Sequence, residues 1–120
     1  MTVSFLFRKP KFPIICDIDG YVIVAKSKSN FEKQLSAYNI CKGARYPTID
    51  ITGEGWPFYP EHMAISPLTT KKKWFKKDVI AIFNNRKNNT FDATYSEKSI
   101  SAKRYDNIFQ DIVGLLLINP

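Results

Sequence analysis

The residues best suited to chemistry in this 120-residue chain are two aspartates at the end of an apolar run. The run Ile14-Ile15-Cys16 leads into Asp17, and Asp19-Gly20 follows after one further isoleucine. A carboxylate at the end of a strand can attack a phosphoryl group when Mg²⁺ screens the charge, and a second carboxylate nearby can transfer protons. Asp17 and Asp19 are therefore the first candidates for catalytic residues.

These seven residues, IICDIDG, resemble the first motif of haloacid-dehalogenase-type phosphotransferases. The resemblance implies that Asp17 is the nucleophile, that Asp19 is the acid/base and that Mg²⁺ is bound. The chain departs from that family at Tyr21, where Thr or Val is usual, and it has no two adjacent acidic residues for the metal. The run Tyr21–Val24 has the pattern of a returning strand, so our preferred interpretation is a β-hairpin over 14–25 with a type I′ turn.

Other catalytic side chains are few. His62 is the single histidine, and neither Cys16 nor Cys41 lies near it at the spacing of metal ligands. Two isolated thiols are typical of small buried hydrophobes in a reducing compartment, although a Cys–His pair formed by tertiary contact stays open. We therefore predict no catalytic residue, no metal site and no cofactor.

Positive charge is concentrated in one segment, residues 69–87. The net charge of the chain is +7, and this segment holds seven basic residues and one acid, Asp78. The remaining sequence is nearly neutral, with eleven basic and ten acidic residues. This distribution indicates a charged surface patch, and the simplest partner for such a patch is anionic.

The lysines of this segment surround aromatic side chains at the start of a predicted helix. Because cations oppose the dipole at a helix N-terminus, helix stability alone does not explain them. The loop 53–60 adds aromatic residues, which either fold back over the core or form an exposed contact surface. The residues predicted to bind a partner are Lys71, Lys72, Lys73, Trp74, Lys76, Lys77, Trp56 and Tyr59.

Hydrophobic periodicity predicts several strands and three helices. Two glycines and two prolines exclude a regular element over 53–60. The first helix is predicted to begin with a capping box formed by Ser29 and Glu32. The second has an apolar stripe at Phe75, Val79, Ile82 and Phe83, and the third, capped by Ser99 or Ser101, has one at Tyr105, Ile108, Phe109, Ile112, Val113 and Leu116. Besides the hairpin, strands are predicted over 3–8, 48–52, 63–68 and 90–95.

The expected fold is a single α+β domain over 1–120. An antiparallel sheet of about four to five strands, including the 14–25 hairpin, is covered by about three helices. The first twelve residues lack the apolar region of a signal peptide, and the apolar run 115–118 is far shorter than a membrane span. We expect a cytoplasmic protein.

In size, polarised charge and lack of catalytic motifs, the chain is similar to small bacterial immunity proteins, including those paired with contact-dependent growth inhibition toxins. The resemblance implies a non-catalytic protein that binds and neutralises a cognate toxin domain. Because the patch is basic, the toxin would present an acidic surface. Glutamate in place of Lys71, Lys72, Lys73, Lys76 and Lys77 is expected to preserve the fold and abolish this association.

The alternative is a small nucleic-acid-binding module that uses the patch of residues 71–77. Lysines interleaved with Trp74 and Phe75 have the composition of a single-strand binder, in which cations hold phosphates and rings stack on bases. No motif of a known nucleic-acid-binding family accompanies them. Phosphotransfer by Asp17 and Asp19 is the third interpretation.

Overall fold

The computed structural model describes residues 2–69, 72–87 and 103–118. Its strands are β1 (Ser4–Phe5), β2 (Ile14–Ile18), β3 (Tyr21–Ala25), β4 (Thr48–Asp50), β5 (Phe58–Tyr59) and β6 (Ala64–Ile65). Its helices are α1 (Lys28–Leu35), α2 (Lys76–Asn84) and α3 (Tyr105–Ile118). The α+β class with three helices is therefore confirmed.

The hairpin of β2 and β3 forms as predicted. Asp19 and Gly20 have φ values of 52° and 95°, which are those of a type I′ turn. Glycine suits the second position because it adopts positive φ without a steric cost. Ile18 lies opposite Tyr21, and the same register pairs Ile14 with Ala25. Local turn chemistry thus decides this part of the fold.

The strands are divided between two three-stranded sheets, so the single sheet of four to five strands was wrong. The first sheet has the order β3-β2-β4 and is antiparallel, and the second has the order β1-β6-β5. The second sheet includes a parallel pair, β1 with β6, which the antiparallel prediction did not contain. Parallel pairing joins strands that are distant in sequence, and no local pattern announces it.

Both faces of the first sheet are buried, each in a different core. Ile15, Val22 and Val24 face α2 and α3, while Ile14 and Cys16 face α1 and the second sheet. The face that carries Ile15 is therefore covered by α2 and α3. This sheet is the middle layer of the fold.

Helix α3 and its apolar stripe are confirmed. Five of its residues are fully buried against the first sheet and α2, and Tyr105 packs at the edge of the same core. The buried positions of α2 are Val79, Ile80 and Phe83. Because α2 and α3 rest on the same face of the first sheet, their N-terminal ends can form one surface.

Helix α1 begins two residues earlier than the predicted capping box requires. Ser27 is its N-cap, and the Ser27 hydroxyl accepts a hydrogen bond from the Asn30 backbone N–H at 3.2 Å. Glu32 instead accepts a hydrogen bond from the Val3 backbone N–H at 2.6 Å. The Glu32 carboxylate therefore joins the N-terminal segment to α1. The capping-box motif does not predict this tertiary contact.

Several strand boundaries differ from the predictions. Of the predicted strand 3–8, only β1 forms. The strand ends there because Phe7 has a φ of 70° and the Arg8 N–H donates to the Leu6 carbonyl in a γ-turn. The segment 63–68 contributes only β6, and 53–60, predicted to be irregular, contributes β5. The predicted strand 90–95 and the caps Ser99 and Ser101 lie outside the described residues.

Among the residues that the structure describes, no helix has the length and apolar character needed to cross a bilayer.

Candidate binding groove at the N-terminal ends of helices α2 and α3

The aromatic loop 53–60 folds back over the core. The Trp56 side chain is 1% exposed, and its indole N–H donates a hydrogen bond of 2.9 Å to the Asp50 carboxylate. The Tyr59 hydroxyl donates to the Leu68 carbonyl at 2.8 Å. Trp56 is therefore a core residue, and the prediction that it contacts a partner is corrected because almost none of it reaches the surface.

The chain ahead of α2 is an extended segment held against this loop. The Gly55 N–H donates to the Lys72 carbonyl at 2.9 Å, and the Trp74 N–H donates to the Gly53 carbonyl at 2.7 Å. These bonds flank an antiparallel bridge between Glu54 and Lys73. The loop 53–55 thus fixes the position of residues 72–74.

Helix α2 begins only at Lys76, so Lys72 and Lys73 precede the helix. Phe75 is the N-cap, and its N–H donates to the Asp78 carboxylate at 2.9 Å. Because the N-cap lies off the helix, the Phe75 ring is 56% exposed and does not belong to the apolar stripe predicted for it. Asp78 also places one negative charge in the first turn, where the helix dipole favours it.

An aromatic groove opens between the start of α2 and the start of α3. Its volume is about 500 Å³. Three rings form its apolar surface, and three lysines and a threonine surround them. The lining residues are Trp74, Phe75, Tyr105, Lys73, Lys76, Lys77 and Thr52.

Tyr105 fixes the far wall of this groove. Its hydroxyl donates to the Asp50 carbonyl at 3.3 Å, and its ring centroid lies 5.8 Å from that of Phe109. Burial raises the pKa of the Tyr105 hydroxyl, which therefore stays protonated and keeps its donor at neutral pH. The Lys76 ammonium donates to the Lys103 carbonyl at 2.8 Å and joins the two helix starts.

The rim of the groove is cationic. Lys72, Lys73 and Lys77 are exposed, and the ion pairs found among the described residues do not include them. The Lys73 ammonium lies 5.7 Å from the centroid of the Phe75 ring. The ammonium groups of Lys73 and Lys77, which line the groove, suit a ligand that combines negative charge with apolar surface.

The structure brings together Lys73, Trp74, Lys76 and Lys77 of the predicted partner-binding set in the groove, with Lys72 directly before them. Tyr59 lies in β5 and Trp56 in the core, while Lys71 lies outside the described residues. Sequence reasoning assigned Tyr105 to a helix stripe and did not place it in the groove. The available signal for its place in the groove was that Tyr105 is the first residue of the stripe. The apolar stripe of a helix reaches the surface where the helix begins.

Of the candidate catalytic aspartates, Asp17 lies in β2 and Asp19 lies in the hairpin turn, and neither lines the groove. The Asp17 carboxylate accepts a hydrogen bond from the Gly20 N–H at 2.8 Å, and the Asp19 carboxylate accepts one from the Tyr46 hydroxyl at 3.3 Å. The first contact closes the hairpin turn, and the second joins the turn to Tyr46, 27 positions away. Within 2–69, 72–87 and 103–118, no three acidic, histidine or cysteine side chains meet as a metal site would require.

The cysteines differ in their surroundings. Cys16 is buried, and this burial raises the pKa of its thiol to about 12, so that the thiol stays protonated at neutral pH. Cys41 and His62 are exposed.

No protein-family model, curated protein or solved structure that was compared with the chain matches it.

Proposed function

We propose that the chain is a non-catalytic binding protein that docks an acidic protein partner on the groove of α2 and α3. The observation that supports this most directly is the groove itself, in which Trp74, Phe75 and Tyr105 form an apolar floor beside the exposed Lys73 and Lys77. An apolar centre with a charged surround is the usual anatomy of a protein-binding hot spot.

The partner we propose is a toxin domain, which the chain neutralises as an immunity protein does. Support comes from the size of the chain, its polarised charge and a cationic rim set against a nearly neutral remainder. Charge complementarity of this kind accelerates association and selects the partner, while the apolar groove supplies affinity.

A second candidate function is binding of single-stranded nucleic acid, which the exposed Phe75 ring favours. Rings beside lysines can stack on bases while the ammonium groups hold phosphates. The arrangement suits this function less well, because the Lys73 ammonium already lies over the Phe75 ring and the other two rings are partly buried.

The test compares the parent protein with two variants, each of which replaces three exposed lysines by glutamate. The groove variant carries Glu at Lys72, Lys73 and Lys77. The control variant carries Glu at Lys26, Lys33 and Lys42, which are exposed lysines outside the groove lining. Both variants have the same net charge, so a difference between them reports the place of the charge.

The reading frames that flank the gene in its native host are expressed one at a time with each protein. We expect one frame to arrest growth, and we expect the parent and the control variant, but not the groove variant, to restore it. If no flanking frame is toxic, or if the groove variant protects equally well, the immunity proposal is wrong.

Nucleic-acid binding is tested by titration of a labelled single strand at two salt concentrations. Binding that is tight at low salt and falls steeply with salt would favour the second candidate. No binding at low salt would remove it.

A further inference from the structure

One backbone edge of the extended segment at the groove is unpaired within the described part of the chain. In the bridge between Glu54 and Lys73, the carbonyl of Lys72 and the N–H of Trp74 bond to the loop 53–55. The N–H and the carbonyl of Lys73 consequently point to the opposite side. Among the described residues, no hydrogen bond uses either group of Lys73.

Side chains along this segment alternate between the core and the exposed side. Trp74 turns inward and packs against the core, while Lys73 and Phe75 are exposed on the other side. A second chain that paired with Lys73 would lie along the mouth of the groove, with the lysine rim beside it.

We propose that the groove binds an extended acidic peptide segment of the partner, and this inference rests on the proposed function. The segment pairs its backbone with the N–H and carbonyl of Lys73 as an added strand. One large apolar side chain enters the groove between Phe75 and Tyr105. Carboxylates on either side of that residue reach the ammonium groups of Lys73 and Lys77.

The exposure of the three rings favours this ligand over a nucleic acid strand. The groove volume of about 500 Å³ lies within the range of pockets that enclose a small ligand, so the groove admits a large side chain. Single-strand binders instead present successive open rings on which successive bases stack. Here only Phe75 is mostly exposed, and the Trp74 and Tyr105 rings are held by the core.

The experiment selects ligands from a random peptide library displayed on phage, with the parent protein as the target. We expect enriched sequences in which one Phe, Trp or Leu is flanked by Asp or Glu. A labelled synthetic peptide of that sequence is expected to bind the groove variant about tenfold more weakly or worse, and the control variant as tightly as the parent.

Backbone pairing has a separate readout. N-methylation of the peptide bond that pairs with Lys73 is expected to weaken binding by about fivefold or more, since it removes one hydrogen bond. N-methylation of the next peptide bond, which points away, is expected to have little effect. Near-ultraviolet circular dichroism of each variant confirms that its fold is intact.

Three outcomes would overturn the inference: enrichment of sequences without acidic residues, equal binding to the groove and control variants, or no enrichment while a labelled oligothymidine binds. If the growth test depends on the groove lysines but no acidic peptide is enriched, the peptide mode is wrong and the proposed function stands. If the growth test does not depend on the groove lysines and no acidic peptide is enriched, the groove is not the binding site.

Discussion

The Asp50 carboxylate lies 2.9 Å from the indole nitrogen of Trp56, and both side chains are only 1% exposed. The same carboxylate accepts further hydrogen bonds that turn the chain after β4 and hold the loop 53–55 in place. The remaining donors are the backbone N–H groups of Lys11, Thr52 and Glu54 and the hydroxyl of Thr52. One buried carboxylate therefore organises the loop on which the groove depends.

Asp50→Ala is expected to lower the free energy of unfolding by about 3 kcal/mol or more, because it leaves several buried donors unpaired. Asp50→Asn keeps one acceptor oxygen, so we expect a smaller loss. Urea unfolding followed by tryptophan fluorescence measures both. The control is Asp106→Ala, which removes an exposed ion pair with Arg104 and is expected to cost less than about 1 kcal/mol. Equal losses for Asp50 and Asp106 would contradict the central role of Asp50.

Gly53→Ala is expected to distort the groove and to destabilise the protein by about 1 to 3 kcal/mol. Gly53 has a φ of 88°, and an added Cβ would lie 2.9 Å from the Trp74 carbonyl oxygen and 3.4 Å from the Tyr105 ring. Gly43→Ala is the matched control, because no atom beyond its two chain neighbours lies within 4 Å of its added Cβ. We expect that control to change the free energy of unfolding by no more than about 0.5 kcal/mol. A neutral Gly53→Ala would show that the loop does not fix the segment 72–74.

Asp17→Ala is expected to lower the free energy of unfolding by about 1 to 2 kcal/mol, because the Gly20 N–H in the hairpin turn loses its acceptor. Asp17→Asn retains an acceptor oxygen and is expected to lose less. The same proteins are assayed with Mg²⁺ and a generic phosphoester, for which we expect no turnover. Turnover by the parent that Asp17→Asn abolishes would instead support the phosphotransferase interpretation.

Stability is expected to fall between pH 9 and pH 12 in part because of Cys16. Burial raises the pKa of the folded thiol to about 12 from its usual value of about 9. The folded state therefore keeps a proton that the unfolded state releases, so this contribution is complete below pH 9 and is lost as pH rises toward 12. The slope for one thiol is at most about 1.4 kcal/mol per pH unit.

Cys16→Ala tests this assignment by unfolding at pH 8, 9 and 10. The variant is expected to be less stable at pH 8, because it leaves a cavity, but to lose less stability between pH 9 and pH 10 than the parent does. Cys41→Ala, at an exposed position, is the control and should keep the slope of the parent. Parallel pH profiles for the parent and Cys16→Ala would contradict the role of the buried thiol.

The predictions that the structure confirms rest on local rules. The Asp19-Gly20 turn and its register follow from the φ values that these two residues tolerate, and the stripe of α3 follows from helical periodicity. Predictions from a single local motif failed where tertiary contacts competed. Glu32 bonds to Val3 and not to a helix cap, and Phe75 becomes an N-cap instead of a stripe residue.

By itself, the sequence determined the hairpin, the periodicity of α3 and the concentration of positive charge in one segment, because each depends on residues near one another in the chain. Tertiary structure alone decided that Trp56 is buried and that Tyr105 faces Trp74 and Phe75 across a groove. The physical reason is distance along the chain: Tyr105 is anchored to the carbonyl of Asp50, 55 positions away. Such a contact depends on how the two cores pack on the first sheet, and no local pattern of residue types specifies it.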